Sequence, residues 1–306
     1  MRNTRAIDIL NKNARTFSFA GKILGRETMQ KAAVLYYFCR TLDDMADRAV
    51  TEADKQSAMI KLEHVGKDLE YEYSEVAPVR DFLQLARTED IDIKIAQDLL
   101  TGVTGDLQTV RIQNEDELLT YCYRVAGTVG LMMCPVLGCR NENAYRHAIA
   151  LGIAMQLTNI ARDIQEDALQ NRIYIPQSML PVNDPKALTV HPDTEGGTDA
   201  RDSCRAILDM AEEFYSYADK GLSALPWRPR LSILVASRLY REIGRKLAEN
   251  GYAYWEGRTI VSNKRKFPLT TQCVIEFLMN KKMKTFIHEP PPQHYAKFLE
   301  NSTARL

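Results

Sequence analysis

Apolar residues along this chain recur three and four positions apart, and clean two-residue alternation over strand lengths is scarce. In Met29-Gln30-Lys31-Ala32-Ala33-Val34-Leu35-Tyr36-Tyr37-Phe38-Cys39 the spacing predicts one amphipathic helix, too long for a strand. The stretches 91–107, 115–136, 145–169, 201–225 and 230–250 follow the same rule and predict further helices. Proline agrees, because before Pro135 the chain contains only Pro78, leaving nearly all of the first 134 residues free to be helical. The pattern predicts an all-α fold in one domain spanning 1–306, since no repeat, low-complexity tract or clear linker divides the chain. Residues 176–198 break the pattern with Pro176, Pro181, Pro185, Pro192 and Gly196-Gly197. That segment is either a surface connector or a flap over a cavity.

Composition narrows the function classes. Forty basic and forty acidic residues cancel, which disfavours a dedicated nucleic-acid binder. The apolar run 125–139 is too short to span a membrane and is interrupted by Pro135. The N-terminus lacks the apolar run of a secretory signal, and the six cysteines form no C-x-x-C. Buried free thiols and a reduced, cytoplasmic setting are the expectation.

Two helical stretches concentrate carboxylates: Arg40-Thr41-Leu42-Asp43-Asp44-Met45-Ala46-Asp47-Arg48 and Asn159-Ile160-Ala161-Arg162-Asp163-Ile164-Gln165-Glu166-Asp167. Each holds an Asp pair four apart, and at about 100° per residue such a pair lies within roughly 40° on a helix. The spacing alone is weak, but both clusters follow strongly apolar runs, and like charges four apart destabilise a helix. Two readings remain open on the residues: a solvated helix end paired to arginines, or a site for hard divalent cations and the polyphosphate they hold. Val125-Ala126-Gly127-Thr128-Val129-Gly130-Leu131-Met132-Met133 carries small residues at helical spacing, which serve either close helix packing or an apolar channel.

These same residues resemble the two aspartate-rich signatures of the squalene/phytoene synthase family, in Tyr36 to Asp47 and Gln156 to Asp167. The stretches 121–130 and 172–176 match as well, and Ala14-Arg15-Thr16-Phe17-Ser18-Phe19 resembles the family's diphosphate-meeting segment. The likeness covers about 10–267, with 268–306 as a C-terminal extension; Asn171 stands where glycine is common. The resemblance implies an isoprenoid-synthase helical bundle around a central cavity in which two isoprenoid diphosphates condense head-to-head. It implies Asp43, Asp47, Asn159, Asp163 and Asp167 as Mg²⁺ ligands, supported by Asp44 and Asp106, with Mn²⁺ as a substitute ion. It places Arg15, Tyr36, Arg40, Arg162, Tyr240 and Arg258 on diphosphate, and Phe17, Tyr121, Val125, Ala126, Val129, Gly130, Met155 and Gln156 along the tails. Asp43, Asp47, Arg162, Asp163 and Asp167 are the implied catalytic set.

The wording of the second motif and the downstream Gly251-Tyr252, Arg258, Val261 and Arg265-Lys266 favour the microbial phytoene-forming branch of carotenoid biosynthesis. That branch uses two geranylgeranyl diphosphates and no NADPH. Alternatives are a relative acting on farnesyl diphosphate, yielding dehydrosqualene, presqualene diphosphate, hydroxysqualene or squalene, and a non-catalytic assembly protein. The oily product makes loose contact with a membrane surface an expectation. Oligomeric state and the final base are not legible.

Overall fold

The computed structural model describes residues 4–279, 286 and 289–301. Fourteen α-helices appear among the described residues: α1 (Thr4–Asn13), α2 (Arg15–Gly21), α3 (Arg26–Asp47), α4 (Glu52–Glu70), α5 (Ala77–Glu89), α6 (Ile93–Gly105), α7 (Glu115–Cys122), α8 (Thr128–Val136), α9 (Tyr145–Arg162), α10 (Ile164–Leu169), α11 (Arg201–Gly221), α12 (Trp227–Glu249), α13 (Asn263–Met279) and α14 (Gln293–Asn301). No strand occurs among them, only an isolated bridge between Arg111 and Ile173. The architecture is an all-α helical bundle, as the apolar spacing predicts.

Helix α9 is the axis of the bundle. Its buried residues include Ile149, Ile153, Leu157 and Ile160 together with Ala150, Ala154 and Ala161, so apolar surface faces several directions. A helix of that kind must be surrounded, and α8, α11 and α12 all pack on it. Two glycines set the closest approach. A Cβ at Gly130 would lie 2.3 Å from the Ala148 carbonyl oxygen, and one at Gly152 would lie 2.3 Å from that of Ala126. The small residues of the 125–133 stretch thus do serve close packing. Some of them also line a cavity, as described below.

Several ends follow from local chemistry. The Thr51 hydroxyl accepts from the Asp54 amide while Asp54 accepts from the Thr51 amide, a reciprocal cap that starts α4. Asp92 and Asn114 cap α6 and α7 in the simpler one-way manner.

Two single helices expected from periodicity are broken. The stretch 115–136 contains a π-helical turn, Tyr123–Gly127, between α7 and α8. The stretch 145–169 breaks at Asp163, whose backbone (φ −103°, ψ 17°) leaves the α region before α10 begins. Apolar spacing of three and four does not distinguish an unbroken helix from one with a local irregularity, which is why neither break was foreseen.

Residues 176–198 form an anchored connector. Leu188 is buried, the Gln165 amide donates to the Thr189 carbonyl at 2.9 Å, and Tyr254 donates to the Thr198 carbonyl at 2.9 Å. The C-terminal region also joins the core: Tyr295 and Phe298 of α14 are buried, and Tyr295 Oη donates to the Arg146 carbonyl at 2.9 Å. All six cysteines are free and buried. No helix among the described residues is long and apolar enough to cross a membrane.

Candidate active site

The last turns of α3 carry the first acidic cluster. Asp43 and Asp47 line a polar pocket of about 200 Å³ together with Asp106, Asn159, Asp163 and Asp167, so both sequence clusters face one space. Asp44 points elsewhere. Its carboxylate is held by Arg40 on one side and by Arg48 Nη2 at 2.7 Å on the other, and it is not among the pocket-lining residues.

The second cluster is arranged differently from two carboxylates on one continuous helix face. Asp163 sits at the break between α9 and α10, where the Asp167 amide still donates to its carbonyl at 2.8 Å. Arg162 Nε donates to Asp163 Oδ1 at 2.6 Å and Arg162 Nη2 to Oδ2, making a two-pronged pair. Arg258 joins from the loop before α13, its Nη2 lying 3.1 Å from the same Oδ2 and its Nε 3.9 Å from Glu166. The two arginines thus meet the acids directly, without lining the cavity.

Counter-charge is unevenly distributed. Asp47 accepts from Arg172 Nη1 at 3.2 Å. Asp106 accepts from Tyr174 at 2.8 Å and from Tyr121 at 3.2 Å, and those two rings stack at 4.7 Å. Burial nevertheless pushes the Asp106 carboxyl up to about 6, against the pull of those hydrogen bonds. Asp43 is pushed up to about 7 by burial and by the charge of Asp47, with Arg40 opposing. Burial and the neighbouring Asp163 raise Asp167 as well. Concentrated, under-compensated carboxylates of this kind are a mark of functional sites.

Beside the acids lies an apolar cavity of about 340 Å³. Asp43, Val125, Gln156 and Asn159 line both spaces, so the acids stand at the head of the cavity. Phe17, Tyr36, Arg40 and Tyr240 line its wall, with the Phe17 and Tyr240 rings 5.4 Å apart. Burial raises the Tyr36 hydroxyl to about 12 and keeps it neutral. Ala126, Val129, Gly130 and Met155 continue the wall, and Gln156 Oε1 accepts from Asn159 at 3.2 Å. The π-helical turn carries Val125 and Ala126, consistent with the frequent use of such irregularities at functional sites. Tyr121, expected along a tail, instead lines the acid pocket. The Arg15 side chain lies outside the described residues.

Sequence reasoning had not included Tyr174 and Arg172 in the site, although both lie in the matched 172–176 stretch. The far end of the cavity, at Ala144, His147, Ala148 and Gly221, was also missed. Small residues there leave no sequence signal apart from ordinary helix packing.

Among the described residues, no three His, Cys, Asp or Glu side chains form a group able to hold a metal ion by themselves. Mg²⁺ does not need such a cage: it takes one or two carboxylates, with phosphate oxygens and waters completing the shell. Oxygen donors from Asp43, Asp47, Asp163 and Asp167 around one pocket fit that mode of binding, and an acid pocket opening on an apolar cavity suits a ligand with an anionic head and a hydrocarbon tail.

The family model described as squalene/phytoene synthase matches residues 10–266. The chain belongs to the squalene/phytoene synthase family. It is 33% identical over 268 residues to the 15-cis-phytoene synthase of Enterobacter agglomerans, covering 84% of this chain and 89% of that one. To the chloroplastic phytoene synthase 1 of Zea mays it is 32% identical over 276 residues, covering 86% and 65%. A solved dehydrosqualene synthase in complex with ligand superposes with a TM-score of 0.78 at 26% identity, over 90% of this chain and 96% of that one. Members of the squalene/phytoene synthase family are prenyltransferases acting on isoprenoid diphosphates. The one departure noted in the motif region, Asn171, has φ 61°. Glycine is favoured in that conformation and asparagine tolerates it; Arg111 donates to both the Asn171 carbonyl (2.8 Å) and its side-chain oxygen (2.9 Å).

Proposed function

We propose that this chain is an Mg²⁺-dependent head-to-head prenyltransferase that condenses two geranylgeranyl diphosphates to phytoene through a cyclopropyl diphosphate, releasing diphosphate. The observation that carries the choice of substrate is the length of the cavity. Its lining runs from Asn159 at the acids along α9 to Ala144, in the turn just before that helix, and at about 1.5 Å per residue those fifteen steps give about 22 Å. An isoprene unit has four main-chain bonds of about 1.5 Å and projects to about 5 Å when extended, so a C20 tail needs about 20 Å and a C15 tail about 15 Å.

Asp43, Asp47, Asn159, Asp163 and Asp167 would hold the ions, with Mn²⁺ as a substitute. Bound there, Mg²⁺ would neutralise the diphosphate and stabilise the charge that develops on it as the allylic C–O bond ionises. Arg162 and Arg258, already beside Asp163, add cationic donors on the same side, where electrostatic catalysis is strongest. Arg40 stands at the boundary between cavity and acids, able to turn from Asp44 toward an incoming head group. The apolar wall excludes water from the allylic cation, and Phe17 and Tyr240 present aromatic faces to it. Ionisation of the cyclopropyl intermediate releases the second diphosphate, and rearrangement of the resulting cation with loss of a proton yields the conjugated triene without a reductant.

The likeness to a dehydrosqualene synthase structure keeps a C30 product as the second reading. Incubating the purified protein with Mg²⁺ and either geranylgeranyl or farnesyl diphosphate, with and without NADPH, separates the readings by product mass. A C40 triene independent of NADPH is expected. A C30 product from farnesyl diphosphate, with none from the longer substrate, refutes the assignment. Absence of turnover with either diphosphate, in protein that binds both, would favour an assembly role.

A further inference from the structure

Helix α13 presents two apolar faces, and among the described residues only one is covered. Leu269, Cys273 and Phe277 pack inward on the cluster formed by Ala20, Leu222, Leu234, Val235, Ala236 and Leu239. Phe267, Val274, Ile275 and Leu278 lie outside, with Phe267 67%, Ile275 50% and Leu278 66% exposed. At 100° per residue these four fall in one arc of about 100°, the width of a stripe that ordinarily meets an apolar partner. Ile260, in the loop that also carries Arg258, and Met279 extend the exposed apolar surface at the two ends.

The charges around this stripe are selective. The one carboxylate of α13, Glu276, is turned away and paired with Arg238 at 2.6 Å. Lys264 is exposed at the start of the helix, and in sequence Lys281, Lys282 and Lys284 follow within five residues of its end. An apolar stripe with basic residues before and after it, and no acid on its face, complements a bilayer bearing anionic head groups. Self-pairing through the same face would set basic end against basic end in either orientation, which argues against a second copy as the occupant.

The stripe also has a structural route to the cavity. The Phe267 ring meets Phe19 of α2 edge-on at 5.8 Å, and Phe17 and Ala20 of that short helix line the cavity. Ala20, Leu222 and Ala236 belong both to the cluster beneath α13 and to the cavity lining. The geometry points to α13 as the face by which the protein rests on an anionic lipid surface, placing the apolar cavity next to the phase that dissolves long-tailed substrates and product. The choice of lipid as the occupant rests on the reading that the cavity takes hydrocarbon tails.

The test uses the full chain without substrate. Co-sedimentation is measured with vesicles of phosphatidylcholine alone and of phosphatidylcholine mixed with phosphatidylglycerol. The native protein is expected in the pellet with the mixed vesicles and much less with the neutral ones. The triple substitution Val274→Ser, Ile275→Ser and Leu278→Ser removes three exposed apolar side chains and is expected to weaken binding at least tenfold. Lys264→Glu is expected to weaken only the preference for anionic lipid. Neither variant touches the cavity, so each should keep native turnover of substrate dispersed in detergent, which also certifies its fold. Native protein that stays in the supernatant, or a triple variant that binds as well as native protein, overturns the proposal. So does a native dimer in sedimentation equilibrium that the triple variant converts to monomer. Detergent turnover reports on the chemistry and vesicle binding on the surface, so failure of either reading is visible without the other.

Discussion

Replacing Asp43 by asparagine should make the metal-free protein more stable while it destroys the site. Asp43 has its carboxyl raised from the ordinary 3.8 to about 7 by burial and by Asp47. At 1.36 kcal/mol per pKa unit, ionising it in the folded state costs about 4 kcal/mol more than in the unfolded chain. Asp43 lines a pocket and is not sealed from solvent, and asparagine leaves its own amide to be hydrated there, so a net gain of about 1–2 kcal/mol is the reasoned magnitude. The folded state binds more protons than the unfolded one between about pH 4 and 7, so native stability from this group falls as pH rises through that window. The gain from the substitution should therefore be full near pH 8 and about two-fifths of that near pH 5. Urea unfolding of native and Asp43→Asn protein in a chelator, at both pH values, measures it. A variant that is no more stable than native at the higher pH, or whose gain does not depend on pH, refutes the reasoning. Added Mg²⁺ should narrow or reverse the gap, because an ion that binds only the folded native protein stabilises it.

Further tests address the chemistry and the cavity. The double substitution of Asp43 and Asp163 by asparagine should abolish turnover while leaving the helical circular dichroism spectrum intact; full turnover would sink the mechanism. Ala148→Phe fills the far part of the cavity and should lower kcat/KM for geranylgeranyl diphosphate by at least about tenfold while sparing farnesyl diphosphate, since one large side chain in an apolar pocket discriminates on that order. Gly152→Ala places a methyl 2.3 Å from the Ala126 carbonyl and should destabilise the protein by about 1–3 kcal/mol, read as a lowered midpoint in denaturant.

The fold class was legible because its signal is repeated: many helices carry the same three-and-four spacing, and an error in one does not change the class. Irregularities were not legible. Nothing in the apolar pattern distinguishes Tyr123–Gly127 as a π-turn or Asp163 as a helix break, since both keep hydrophobic residues on the buried side. The acidic clusters were visible as composition, but not their division of labour. Asp44 reads like Asp43 in sequence, yet one faces two arginines along the helix surface and the other faces the pocket. Tyr174 and Arg172 were passed over because their roles depend on contacts across the fold, with Asp106 and Asp47.

A formal charge of zero for the whole chain conceals a strong local imbalance at this pocket. Five carboxyls line it, those of Asp43, Asp47, Asp106, Asp163 and Asp167, against the single guanidinium of Arg172. Arg162 and Arg258 stand behind Asp163 and leave the others largely unrelieved. Burial is the main reason the carboxyls of Asp43, Asp106 and Asp167 are raised, and their like-charged neighbours add to it. A bare diphosphate would be repelled by such a surface, whereas a diphosphate carrying divalent cations would relieve it. On the proposed reading, part of the attraction for a metal–diphosphate complex would come from relieving the empty pocket, which would tie substrate affinity to the same carboxyls that limit the stability of the free protein.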